Sequence, residues 1–258
     1  METPNNHYHY TMLTPTEFRS RLAAAPIAYL PLGTLEWHGP HLPLGADGLQ
    51  SQGFFAHLAE RVGGIILPML FLGPDYYEVV DGDEFFGMDV WGDRTKKPEK
   101  LTGSAYWIGE EQFVALLERI LANLKRAGFQ IVVAHGHGPS TTLFGDHIPE
   151  WSQRFGLKLF NCWREHEDTE TDSLGLQKDH AAANETSLTL ALHPDLVHME
   201  YLPRDPDEKV KAIIGRDPRI YASPEVGRQI IQLQGERMEA ILRAALASLV
   251  NETHPEGG

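Results

Sequence analysis

The chain has a single cysteine, Cys162, so no disulfide forms within it. A reducing compartment suits such a sequence. Positive charge is scarce: 22 Lys and Arg stand against 36 Asp and Glu, for a formal net charge of −14. Nucleic-acid surfaces neutralise phosphates with clustered Lys and Arg, so this balance argues against such a partner and favours a small-molecule substrate. No stretch supplies the roughly 18 uninterrupted apolar residues of a membrane-spanning helix. The opening METPNNHYHY has no basic segment followed by an apolar core, and a cytoplasmic location is the expectation. Repeats and low-complexity tracts are absent too. The chain of 258 residues is long enough to bury a substantial core, and we expect one domain over 1–250 with a disordered tail over 251–258.

Histidine, by contrast, is plentiful at 13 residues, and its placement matters more than its number. The run from Pro31 to Asp47, PLGTLEWHGPHLPLGAD, combines Glu36, His38, His41 and Asp47 with glycines and prolines that restrict the backbone. Side chains alternate along an extended segment, so Glu36 and His38 share a side and can reach one ion or two adjacent ones. Asp47 stands where an apolar helical pattern begins. It fits either a helix cap that accepts backbone N–H bonds or a carboxylate that bridges two metals.

Elsewhere the pattern alternates between helix and strand. Helices are expected over 14–24, 48–61, 110–126, 140–155 with an interruption near Pro149, 188–192 and 224–250. Buried strands are expected over 27–32, 65–70, 129–134 and 157–163. This alternation predicts an α/β fold with a mainly parallel sheet, helices on both faces, and site loops gathered at one edge. Residues 73–107 break the periodicity. They read either as a subunit-contact arm or as a wall carrying Tyr76, Tyr77, Phe85, Phe86 and Trp91 over the site. Lys96 and Lys97 within it could meet an anionic substrate, although paired lysines are more often simply solvated. His135 and His137 sit between glycines at the end of a strand, and an extended backbone would put them on one side. His180 and Glu185 flank a small-residue turn before a helix. The run Glu165, His166, Glu167 and Asp168 reads as solvated surface.

Three of these stretches together resemble the creatininase family. GTLEWHGPHLPLGAD is similar to G-S-x-E-Q-H-G-P-H-L-P-x-x-x-D, AHGHGPS to N-G-H-G-G-N, and HAAANETSLTLAL to H-A-G-x-x-E-T-S-x-x-L-A-L. Gly103-Ser104 is a weaker match to a Pro-Gly-Thr element. The resemblance implies a three-layer α/β/α sandwich, a two-metal hydrolytic centre and assembly as a homohexamer. It implies that Glu36 and His137 hold the first metal, His38 holds the second, and Asp47 bridges them. The glutamate that in creatininase follows two residues after the second motif's histidine is replaced by Pro139, so Glu185 becomes the implied substitute ligand. His180 matches a histidine beside the centre, a candidate proton shuttle. His135 and Ser140 replace flanking asparagines and become candidate substrate contacts, and Trp37 replaces a glutamine.

Histidine and carboxylate ligands without thiolate suit Zn²⁺, with Mn²⁺ or Fe²⁺ as alternatives. Two such ions about 3.5–4 Å apart would activate a shared water and polarise a carbonyl, and imidazole is suited to protonating the leaving group. Three functions follow in order. The first is hydrolysis of a C–N bond in a small cyclic amide or formamide-type substrate. The second is ring-opening C–C hydrolysis of an oxidised inositol, which the resemblance implies through a relative that acts on such substrates. The third is a non-catalytic metal-binding protein.

Overall fold

The computed structural model describes residues 7–162, 179–205 and 207–253. The acidic run at 165–168 lies outside the described residues. The first helix, α1 (Pro15–Ala24), opens on a capping box in which Thr14 and Glu17 satisfy each other's backbone N–H groups. Strand β1 (Ile27–Leu32) is buried at all six positions, as expected of a strand covered on both faces. After it come α2 (Ala46–Val62) and β2 (Ile65–Ile66), then an antiparallel hairpin of β3 (Tyr77–Val80) with β4 (Asp83–Phe86), and the short α3 (Met88–Trp91). Beyond these lie α4 (Glu110–Ala127), β5 (Ile131–Gly136), α5 (Gly138–Phe155) and β6 (Lys158–Asn161). The chain closes with α6 (Ala183–Leu192), α7 (Pro218–Tyr221) and α8 (Pro224–Thr253).

The main sheet is parallel throughout, in the order β2-β1-β5-β6. Alternate residues of its two central strands enter opposite cores. Ile27, Tyr29, Ile131 and Val133 pack with Phe54, Phe55 and Leu58 of α2, Leu188 of α6, and Ile230, Met238 and Leu242 of α8. Ala28, Leu30, Leu32, Val132 and Ala134 pack instead with Phe113, Leu117 and Leu121 of α4 and with Phe144 and Trp151 of α5. The result is a three-layer α/β/α sandwich. Adjacent strands β1 and β5 send their connections to opposite sides of the sheet. Their C-terminal ends, Leu32 and Gly136, lie side by side at this switch point, where open α/β sheets bind ligands.

Several expected boundaries move, each for a local reason. The expected strand over 65–70 is only two residues long, because Pro68 cannot donate to the ladder; the chain rejoins β1 at Leu70, opposite Leu32. Helix α5 starts at Gly138 and runs unbroken through Pro149. Helix α8 continues to Thr253, three residues into the segment expected to be disordered. The aperiodic arm also holds a hairpin that the sequence reading did not anticipate: Asp81 and Gly82, with φ angles of 55° and 88°, make the primed turn that joins β3 to β4.

Candidate metal centre

Each predicted ligand reaches the centre through a distinct piece of backbone. Glu36 and His38 come from the loop after β1, Asp47 from the first turn of α2, His137 from the junction of β5 with α5, and Glu185 from the first turn of α6. All are buried, at 4% exposure or less. Asp47 is not a cap. Gly45 holds the cap position of α2, and the Asp47 carboxylate turns towards two histidines instead.

Two ligand groups share that carboxylate: Glu36, Asp47 and His137 form one, and His38, Asp47 and Glu185 the other. His38 Nδ1 donates to the Glu36 carbonyl at 3.0 Å, which leaves Nε2 as the lone-pair nitrogen. Nε2 lies 3.4 Å from Asp47 Oδ1 and 3.8 Å from Glu185 Oε2, and it makes no hydrogen bond. A buried imidazole nitrogen aimed between two carboxylates has the chemistry to hold a divalent ion. On the other side, His137 Nδ1 lies 3.1 Å from Asp47 Oδ2 and 3.6 Å from Glu36 Oε2. The residues present therefore fit divalent ions on both sides of Asp47.

Charge follows from burial. Burial raises the Glu36 carboxyl to about 8, partly countered by His137, and holds the Glu185 carboxyl well above the usual range. Burial also opposes ionisation of Asp47, but His38 and His137 more than offset it and hold this carboxyl well below its ordinary value. Both imidazoles are pushed upward against burial by the carboxylates facing them, His38 to about 10 through Asp47. Metal-free, the centre is thus a store of protons around one fixed negative charge.

His180 sits beside His38, ring centroids 4.4 Å apart. Its Nε2 donates to the Trp37 carbonyl at 2.8 Å, which makes Nδ1 the basic nitrogen. Burial, and then the charge on His38, lower its pKa to about 3, so the ring is neutral at rest. The loop that carries it is braced by Asp179, whose carboxylate accepts from the N–H groups of Asn184 and Glu185 at 2.8 and 3.1 Å. Glu185 Oε2 in turn accepts from the Ala181 N–H at 2.6 Å. This capping draws the start of α6 back to Ala183, so Glu185 is helical rather than part of the preceding turn.

His135 and Ser140 do not take the places expected of them. Gly136, at φ 145°, breaks the alternation, so His135 and His137 point apart. A side chain at Gly136 would overlap the Leu32 carbonyl, and only glycine lets the strand pass there. His135 packs against Phe54 and Phe55 and meets Ser51 Oγ at 2.8 Å, on the underside of α2. Ser140 is fully buried beneath Gly73. Neither lines the cavity. His41 likewise turns away to Thr186 Oγ1, at 2.9 Å.

The cavity over the centre measures about 370 Å³ and is lined by Tyr76, Met88 and Trp91 as well as by Glu36, Asp47, His137, Glu185 and His180. The arm over 73–107 thus walls its own chain's site, through Tyr76 and Trp91. Tyr77 and Phe86 face a neighbouring hollow with Trp107, and Lys96 and Lys97 pair at the surface with Asp93 and Asp81. Asp75 is the residue that sequence reasoning missed. It lines the cavity and lies 3.2 Å from His137 Nε2. Only its isolation as a carboxylate between Pro74 and Tyr76 could have drawn attention to it.

Comparison with known proteins gives the same picture. The family model described as creatininase, creatinine amidohydrolase, matches residues 11–252. A creatinine amidohydrolase of Pseudomonas putida is 27% identical over 205 residues, 73% of each chain. A 3-dehydro-scyllo-inosose hydrolase of Thermotoga maritima is 23% identical over 210 residues, which span 78% of this chain and 61% of that relative. Among solved structures, a Zn-Zn type mutant creatininase superposes with a TM-score of 0.69 at 21% identity, and creatininase Mn with 0.68 at 22%; each match covers 93% of this chain and 98% of the other. Among the described residues, no helix is long and apolar enough to cross a membrane. The chain belongs to the creatininase family and is a metal-dependent hydrolase.

Proposed function

We propose that this chain holds two divalent ions and cleaves a C–N bond of a small cyclic amide or formamide-type substrate. The observation that carries the reading is Asp47, which belongs to both ligand groups at once and is kept ionised by the histidines on either side. In this reading Glu36 and His137 complete the first site and His38 and Glu185 the second. Zn²⁺ is the favoured ion and Mn²⁺ the alternative, in keeping with the Zn-Zn and Mn forms of the solved creatininases. Bound there, a metal pair supplies an activated water and polarises a carbonyl.

The chain's own residues do the rest. Among the described residues no lysine or arginine lines the cavity, while Asp75 and Asp179 do, which favours an uncharged or cationic molecule over an anion. Tyr76, Met88 and Trp91 offer flat apolar surface to a small ring and exclude water from it. His180, neutral and with Nδ1 as its basic nitrogen, accepts a proton and returns it to the leaving nitrogen, which is a poor leaving group as an anion. The proposal extends to a homohexamer, as the family resemblance implies, and to the cytoplasm, a reducing compartment that suits the single cysteine. A second reading, ring-opening C–C hydrolysis of an oxidised inositol, is favoured by the kinship with the inosose hydrolase.

Elemental analysis and product detection test the two levels separately. Two ions per chain are expected in the wild type, one in Glu185→Gln, and none in Asp47→Asn. One ion in the wild type and in Glu185→Gln alike would overturn the dinuclear reading. Release of ammonia or an amine from a cyclic amide supports C–N cleavage; turnover of a cyclic polyol ketone without nitrogen release would replace it with the second reading.

A further inference from the structure

We propose that Asp75 is a positioning residue of the metal centre: its carboxylate holds the imidazole of His137 from the side opposite the two ligand groups. The inference rests on the metal-centre reading and adds to it a residue from the arm. His137 Nδ1 faces Asp47 and Glu36, and its other nitrogen, Nε2, lies 3.2 Å from Asp75 Oδ2. With Nδ1 committed to the centre, Nε2 carries the proton, and Asp75 is the acceptor within reach. The Asp75 side chain is only 6% exposed.

The carboxylate is itself held in place. The Tyr76 N–H donates to Asp75 Oδ1 at 2.6 Å, which turns Oδ2 towards the imidazole. The base of the hairpin closes through the Gly87 N–H, which donates to the Tyr76 carbonyl at 2.9 Å. Gly87 has φ 49°, and a side chain there would overlap both Asp75 Oδ2 and Glu36 Oε1. The arm is therefore pressed against two carboxylates of the centre, with no room for a methyl group between. One oxygen of Asp75 is engaged by backbone; the other and His137 Nε2 are both buried, lie 3.2 Å apart and make no aligned hydrogen bond to any other described group, so each is the neighbour the other has.

A ligating histidine that donates its free N–H to a carboxylate is fixed in tautomer and made a stronger ligand, and losing that partner costs about 10–100-fold in metal affinity. The test is competition with a chromophoric chelator for Zn²⁺ in wild type, Asp75→Ala and Asp75→Asn, alongside thermal unfolding of the metal-free proteins. In Asp75→Ala one ion should bind about 10–100-fold more weakly, with the other close to wild type. Asp75→Asn, which keeps a neutral acceptor, should fall between the two and carries the test if the alanine variant fails to fold. Metal-free midpoints should fall as well, since the imidazole loses one of the carboxylates that face it, so the test is read from metal affinity. Wild-type affinity for both ions in Asp75→Ala overturns the proposal: a raised KM would then make Asp75 a substrate contact, and a lowered metal-free midpoint a packing residue. A wild type that holds one ion overturns the dinuclear reading alone, and the affinity of that ion then judges Asp75 by the same comparison.

Discussion

Loading the centre with metal should expel protons. In the metal-free protein Asp47 is ionised, while Glu36 at about 8 and His38 at about 10 both hold a proton at pH 7. His137 and Glu185, raised in the same direction, hold up to two more. Carboxylates and imidazoles ligate only when deprotonated, so ions held by Glu36 and His38 should displace about two protons, with any held on His137 and Glu185 adding to that. The sign follows: affinity rises with pH. Each released proton contributes about tenfold per pH unit, roughly 1.4 kcal/mol, so two protons make the pair bind about a hundredfold more tightly at pH 7 than at pH 6. Calorimetric titration of metal-free protein with Zn²⁺ in two buffers of different ionisation heat counts the protons directly. Fewer than one proton released per two ions, or an affinity that is flat between pH 6 and 7, would refute the account of burial and charge in this centre.

His180→Ala should keep its ions and lose kcat by about 10²–10⁴, the usual worth of a positioned acid–base group; a fully active variant would remove His180 from the chemistry. His41 offers a test on stability rather than activity. Burial, and then the nearby His38, lower its pKa from 6.5 to about 4, so the folded chain binds this proton more weakly than the unfolded chain. Its contribution is fully present above pH 6.5 and is lost as pH falls towards 4, by roughly 2 kcal/mol at pH 5. Denaturant unfolding of the metal-free protein at pH 7 and pH 5 should show a larger loss in wild type than in His41→Gln; equal losses would exclude His41 as the source.

Much of the site could be read from residue types in order. Glu36 and His38 stood out in the restricted loop after an apolar strand and Glu185 beside a helix start, while the ligand roles expected of them came from the family resemblance. Periodicity likewise located α4, whose Phe113, Leu117 and Leu121 recur on one face and are buried as expected. The aperiodic arm hid both the hairpin and Asp75, because short exposed strands carry little burial pattern and a lone carboxylate carries no period at all. His135 misled for a different reason: its neighbour Gly136 takes a torsion that alternation cannot anticipate.

What the sequence determined by itself was the succession of helices and strands and the kinds of ligand on offer, because both depend on near neighbours and on burial that repeats along the chain. Tertiary structure decided which ligands meet. The order β2-β1-β5-β6 puts the ends of β1 and β5 side by side, capping by Asp179 swings Glu185 onto them, and the arm brings Asp75 behind His137. Those meetings depend on sheet order and packing between distant segments, and local propensity carries no term for either.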